Sequence, residues 1–505
     1  MRFYFTTQLR ETRATSFGSG TGSCLLWGSV ALLAGCATVA PPDYSDDVRY
    51  CADHLANEAW AGQDPADNRA FYRPDSQPWF VISRFHASFN PANLSDAAFS
   101  EWKIKVIDHS WQELEASQQQ LMGRAMSASR ACLVELAFAT PASDWQTYAE
   151  TARDYDLYRD WQRWAGVYPI SSLVVSQRIR SAQAEWLEDY GGPFDQDVQR
   201  YRPTTDQEPL PIHQERMADW LAEGYAQSAL SLPQLTSEQL NALFAHHAPE
   251  LHVLQDSDAD RLGSVGTSMG EPEFRTEPAV AYVQPMMTRF QGDYLLQLSY
   301  TYWFRERPRT SRFDIYGGPW NGVTWRVTLD TEGEPLWFDV MHNCGCYHQV
   351  WLSENHQPSD NIGRESPLFL PYDWTGRPRL TLTSGEHYVR NVEGVARDEQ
   401  ANTGLDAAGT AAQPYQIRPY RSLLTLESET LESADGNGST VVSLFDQRGL
   451  IPASRRAERY VLWPFGVKSP GAMRRLGTHT IAFVGKRHFD DPALFEQLIQ
   501  PVEQQ

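Results

Sequence analysis

The apolar residues change period at Pro249, and that change constrains the fold more than any other feature of the chain. Upstream they recur every three or four residues. Phe99, Trp102 and Val106 share one helical face, and so do Leu157, Trp161 and Trp164. Downstream they alternate. Leu296, Leu298, Tyr300, Tyr302 and Phe304 interleave with Gln297, Ser299, Thr301 and Trp303, and Val323, Trp325, Val327 and Leu329 with Thr324, Arg326 and Thr328. Asp330-Thr331-Glu332-Gly333 reads as a turn into a strand carrying Leu336, Phe338 and Val340, and Asn437-Gly438 as a hairpin turn. Strands that follow one another without intervening helices favour an antiparallel sandwich. The predicted class is α+β: a helical domain over 47–248, then a mainly antiparallel, sandwich-like β domain over 249–505. A short C-terminal helix closes it, capped at Asp491, started by Pro492 and carrying Leu494, Phe495 and Leu498.

Local signals refine this outline. Ser143 with Gln146, and Thr236 with Gln239, fit capping boxes, in which hydroxyl and amide satisfy free backbone N–H groups at a helix start. The helical spacing of the tryptophans predicts core packing rather than a ligand cage. His479, Ile481 and Phe483 are expected on one strand face, with His479 a core histidine able to reach His342 and His348 if the strands are neighbours. Residues 396–414, small and Ala/Gly-rich, read as a surface loop.

Composition excludes several classes. With 41% hydrophobic and 12% aromatic residues the chain can bury a core, which rules out disorder for most of it. A formal net charge of -21 argues against a nucleic-acid partner, which needs a Lys/Arg-rich face.

The N-terminus carries an address. Arg2, Arg10 and Arg13 precede a short apolar run, Cys24 to Leu33, too short for a bilayer span, which takes about 20 apolar residues. It ends in Leu33-Ala34-Gly35-Cys36, which resembles the lipobox of bacterial lipoproteins. The resemblance covers about the first 40 residues. It implies a signal peptide over 1–35, diacylglycerol on Cys36 as the first mature residue, and a tether over 36–46. Because Ala37 rather than Asp follows, it further implies the outer membrane, facing the periplasm. The expected partners are the membrane, through the lipid on Cys36, and an envelope protein. The order HAPELHV, YTYWF, TWRVTLD from His247 onward is also similar to β-sandwich families related to necrosis-inducing proteins. Their acidic/His metal motif is absent, so nothing functional follows from it.

One constellation carries chemistry. His342-Asn343-Cys344-Gly345-Cys346-Tyr347-His348 places four metal-type ligands at alternate positions. On a straight strand the outer two would lie about 20 Å apart, so chelation of zinc or another transition metal by His342, Cys344, Cys346 and His348 requires a turn between Asn343 and Tyr347. His356 is a further candidate ligand. In an oxidising compartment the same cysteines can instead be disulfides. Four remain once Cys24 and Cys36 are set aside; Cys51–Cys132 fits within the helical half, leaving Cys344–Cys346 as a tight, readily reduced ring. A structural turn with hydrogen-bonded histidines is the third reading. CxxCH is absent, so covalent c-type haem attachment is not supported.

Weaker motifs yield less. Gly266-Thr267-Ser268-Met269-Gly270 matches GxSxG but lacks the strand and helix a nucleophile elbow needs. Asp256-Ser257-Asp258-Ala259-Asp260 starts like a calcium loop, but Arg261 and Thr267 stand where Gly and Glu are required. His246, His247 and His252 read as capping or surface residues, and no HExxH is present. The expected function is therefore a lipid-anchored envelope protein with a binding or scaffolding role. The alternative is a metal-dependent hydrolase, or a thiol–disulfide redox protein, centred on residues 342–348.

Overall fold

Helices form where the period of three to four runs, and their caps follow local chemistry. The computed structural model describes residues 46–55, 70–122, 127–204, 212–395, 412–427 and 441–502. Residues 1–45, with Cys36 and the expected signal among them, residues 396–411 and the expected turn at Asn437-Gly438 lie outside them. The helices are α1 (Asp46–His54), α2 (Arg84–Ser88), α3 (Asp96–Met122), α4 (Ser127–Ala139), α5 (Ala142–Asp154), α6 (Asp160–Ala165), α7 (Tyr168–Asp189), α8 (Gln214–Ala226), α9 (Ser237–His247) and α10 (Leu494–Leu498). At the start of α9, Thr236 Oγ1 accepts from Gln239 N (3.2 Å) while Gln239 Oε1 accepts from Thr236 N (2.8 Å), a reciprocal box. Ser143 does not cap. Pro141 is the N-cap of α5, so Ser143 falls inside the first turn, and Gln146 Oε1 instead accepts from Ala92 N at 3.1 Å.

Trp102 and Trp145 are buried among α1 to α5, and their indole N–H groups donate to His86 O (3.0 Å) and Ala137 O (3.1 Å). A disulfide from Cys51 to Cys132, 81 residues apart, links α1 to α4 in the same core. The core expectation fails for α6: Trp161 is 62% and Trp164 87% exposed. Arg163 takes the inward position instead, its guanidinium over the rings of Tyr158 and Tyr168 and donating to Phe465 O at 2.8 Å.

The strands of the main sheet and one short neighbour are β1 (Asp197–Thr204), β2 (Glu250–Gln255), β3 (Leu262–Ser268), β4 (Glu271–Arg275), β5 (Ala279–Phe290), β6 (Asp293–Arg307), β7 (Gly318–Leu329), β8 (Pro335–His342), β9 (Gln349–Leu352), β10 (His356–Pro358), β11 (Leu368–Pro371), β12 (Arg377–Leu382), β13 (Val389–Val395) and β14 (Gln413–Pro419). All but β10 join one sheet in the order β11-β9-β8-β7-β6-β5-β14-β1-β2-β12-β13, with β3 pairing β4 and β6. The sheet is mixed, which corrects the antiparallel expectation. β5 to β9 run antiparallel, but β1 is parallel to β14, β14 to β5, β2 to β12, and β9 to β11. The reason is topological: β1, contributed by the helical half, is hydrogen-bonded between β14 and β2. Asp43–Gln505 accordingly forms one compact unit.

Both faces of the sheet are covered. Met217, Leu221, Leu243 and Phe244 of α8 and α9 pack on Tyr300, Trp325 and Trp351. The opposite face holds Trp303, Trp337 and Met341 against Phe445, Met473, Phe489 and the apolar side of α10. The polar residues of the alternating pattern are therefore buried too, and pair across strands: Gln297 Nε2 donates to Thr328 Oγ1 (2.9 Å), and the hydroxyls of Thr301 and Thr324 meet at 3.0 Å. His479 to Phe483 form no regular strand; Thr480 makes only an isolated bridge to His488.

Candidate functional site

The chain turns at residues 343–345, where Asn and Gly permit it. His342 C=O accepts from Gly345 N (2.7 Å) and His342 N donates to Cys346 O (2.9 Å), with Gly345 at φ 95°. This is a three-residue hairpin loop closed by a left-handed glycine. Asn343 clamps it. Its N donates to Gly322 O (2.9 Å), its Oδ1 accepts from Thr324 Oγ1 (2.7 Å), and its carbonyl accepts from Arg474 N (2.7 Å) and His479 Nε2 (3.1 Å). His479 thus reaches the loop through its backbone rather than through His342 or His348.

The loop forms one wall of a cavity of about 400 Å³, whose opposite wall is the inner side of α7, including Ile179, Ala182 and Trp186. Cys344 is 6% exposed and Cys346 half-buried; both are free thiols. The Cys346 thiol and the His342 side chain both act on the Cys344 sulfur. The Cys346 thiol, aided by His342 and the Arg456 charge, overcomes burial and holds the Cys344 thiol well below its ordinary range. The same pairing and burial push Cys346 up.

His342 and His348 do not converge. His348 Nε2 lies 3.1 Å from Asp339 Oδ2, and Asp339 is bidentate to Arg326, while the His342 ring packs at a tilt against Tyr347 with ring centroids 4.4 Å apart. His356 bonds Ser353 Oγ at 3.1 Å and packs on Phe290 and Trp337. Among the described residues no group of three or more His, Cys, Asp or Glu is placed to hold a metal ion. Cys344 and Cys346 also form no disulfide in this structure.

Two carboxylates on the cavity wall were missed from sequence. Burial lifts Glu458 to about 7, helped by the Cys344 charge, and burial lifts Glu365 to about 7 although it accepts from Phe483 N and Val484 N at 2.9 and 2.7 Å. Four buried wall atoms have no hydrogen-bond partner: His342 Nε2, His348 Nδ1, Arg456 Nε and Thr480 Oγ1.

The other motifs contribute no chemistry. Ser268 ends β3 in a plain hairpin with β4. Asp260 is buried, accepting from Asp256 N and Ser257 N and pairing with His387 Nε2 at 3.1 Å. His246 and His247 lie in the last turn of α9, and His252 on β2. Comparison of the chain with protein-family models, with curated proteins and with solved structures found no match. The site is thus read from its own geometry.

Proposed function

We propose that the chain is a lipid-anchored envelope protein whose cavity binds a small polar thiol and exchanges disulfide with it through Cys344 and Cys346. The observation that carries this reading is the pair of free thiols, Cys344 and Cys346, on the wall of one cavity, one with raised and one with lowered acidity. A cavity of about 400 Å³ and a Cys344 only 6% exposed suit a small molecule better than a cysteine on a protein surface.

In the favoured direction the protein starts as the Cys344–Cys346 disulfide. A substrate thiolate attacks Cys346, the more exposed residue of the pair, and Cys344 leaves as the thiolate its neighbours stabilise. A second substrate thiolate then attacks the substrate sulfur of the mixed disulfide and releases Cys346. Two substrate thiols become one disulfide, the protein pair gains two electrons, one proton ends on Cys346 and the other is released. The tight ring and the stabilised Cys344 thiolate both make the pair an oxidant.

Thiol counting tests this on the chain beginning at Ala37, equilibrated in glutathione buffers of graded redox ratio. The reading requires a Cys344–Cys346 disulfide that forms in oxidising buffer, is reduced before Cys51–Cys132, and is abolished by Cys344→Ser. Two thiols that persist in every buffer would refute it.

A further inference from the structure

We infer that the outer side of α6 and α7 is a docking surface for a lipid bilayer. Trp161, Trp164, Ile170, Leu173 and Val174 are 62, 87, 65, 55 and 61% exposed. They form one patch with the loop at Trp463. Arg159 N donates to Gly466 O at 2.8 Å, and Gly166 sits so close to Pro464 that a β-carbon there would clash. Single exposed apolar residues are ordinary, but a contiguous aromatic-rich patch is not, and it marks an interaction site.

The chain itself indicates the occupant. Cys36 stands ten residues before Asp46, where α1 begins. An acylated Cys36 would hold the start of α1 within about 35 Å of the membrane, at about 3.4 Å per extended residue. At that range even a weak apolar surface stays engaged, because the second contact is intramolecular. Tryptophan suits the headgroup depth, with an apolar ring and one polar N–H. The acidic chain, at net charge -21, favours zwitterionic over anionic lipid. The same helix walls the thiol cavity from its inner side, so docking would bring the cavity's α7 wall to the membrane. The choice of a bilayer rests on the anchor at Cys36; the exposed surface does not.

The test is co-sedimentation of the chain beginning at Ala37, which keeps every described residue, with phosphatidylcholine vesicles. Binding should rise with lipid and persist in salt. It should weaken by about tenfold or more in the triple variant W161S/W164S/I170S, since apolar burial drives interfacial binding. All three side chains are largely exposed, so unchanged thermal unfolding would show the variant is folded. No vesicle binding, or equal binding by the variant, would overturn the inference. So would a dimer, seen by sedimentation velocity, that the variant abolishes while vesicles are ignored. Mass analysis of Cys36 in the full chain decides the anchor separately: an unmodified Cys36 with vesicle binding supports the surface and refutes the anchor.

Discussion

Arg326 and Asp339 face one another across β7 and β8 as register partners, with Nε–Oδ1 and Nη2–Oδ2 both at 2.8 Å and side chains 1% and 0% exposed. Arg326 also donates to Phe489 O at 2.7 Å and lies over the Phe489 ring, while Asp339 receives His348. Burial alone would raise the Asp339 carboxyl, but the Arg326 charge and the His348 bond hold it below the usual range. Asp339→Ala leaves a guanidinium stranded in the core and should cost about 3–5 kcal/mol. Asp339→Leu with Arg326→Met should cost much less, because no charge is left alone. Urea unfolding of the single and double variants checks this; equal losses would mean the pair is not what holds β7 to β8.

Cys344 should react with a small alkylating reagent at lower pH than an ordinary thiol. Its thiolate is held by the Cys346 thiol first and by His342 next. Cys346→Ser and His342→Ala should each move the midpoint of the rate–pH profile upward, and Cys344→Ser should remove the fast phase. A midpoint unmoved by either substitution would show that these neighbours do not set the acidity.

Acid should destabilise the fold in the histidine range. Burial pushes His86 and His488 well below their usual value, His109 to about 4 and His479 to about 3. A histidine lowered in the fold binds its proton more readily when unfolded. Its contribution is complete above the unfolded value and falls as pH drops below about 6.5, by about 1.4 kcal/mol per unit for each fully buried group. Glu365 and Glu458, raised to about 7, act oppositely: they bind protons in the fold and add stability as pH falls from about 7 toward the unfolded value. The four histidines outnumber them, so the urea midpoint at pH 5 should lie below that at pH 7. Glu365→Gln with Glu458→Gln should steepen the fall.

The sequence made the period change at Pro249 legible because burial of one face imposes it, and Leu296 to Phe304 duly lie in β6. Strand direction was not legible. Nothing local in Asp197–Thr204 says that it pairs with β14 and β2, since that choice depends on residues more than 200 positions away in β14 and 50 or more away in β2. The turn at Asn343–Gly345 could be read from its residue types, whereas the capture of His348 by Asp339 could not. Alternation places both on sheet faces but does not say which face each shares. Trp161 and Trp164 have the spacing of core residues, and spacing cannot show that nothing packs on them. Glu365 and Glu458 carry no motif; their role comes from burial beside the thiols.

The Cys51–Cys132 bond closes a loop with a sequence separation of 81 between two helices that share one core. In the chain-entropy account a loop of this size is worth about 4 kcal/mol. Cys51→Ala with Cys132→Ala should lower unfolding stability by that order, and should leave alkylation of Cys344 unchanged, because the cavity wall lies elsewhere. A coupled loss of Cys344 reactivity at temperatures where the fold persists would contradict this.

Gly345 and Gly292 have nearly the same backbone, φ 95° and 97°, but different surroundings. A β-carbon at Gly292 would meet nothing within 4 Å, while one at Gly345 would run into the Thr480 carbonyl. Alanine at either position suffers the same left-handed strain, about 1–2 kcal/mol. Only at Gly345 must the loop also move off the 480 segment, which adds about 1–3 kcal/mol of overpacking. Gly345→Ala should therefore be the more destabilising, and the difference between the two variants isolates the contact with Thr480. Moving the loop should also part the two sulfurs, so Gly345→Ala should raise the pH at which Cys344 becomes reactive, whereas Gly292→Ala should not. Equal losses of stability with unchanged thiol reactivity would mean that the 480 segment yields and the loop does not depend on it.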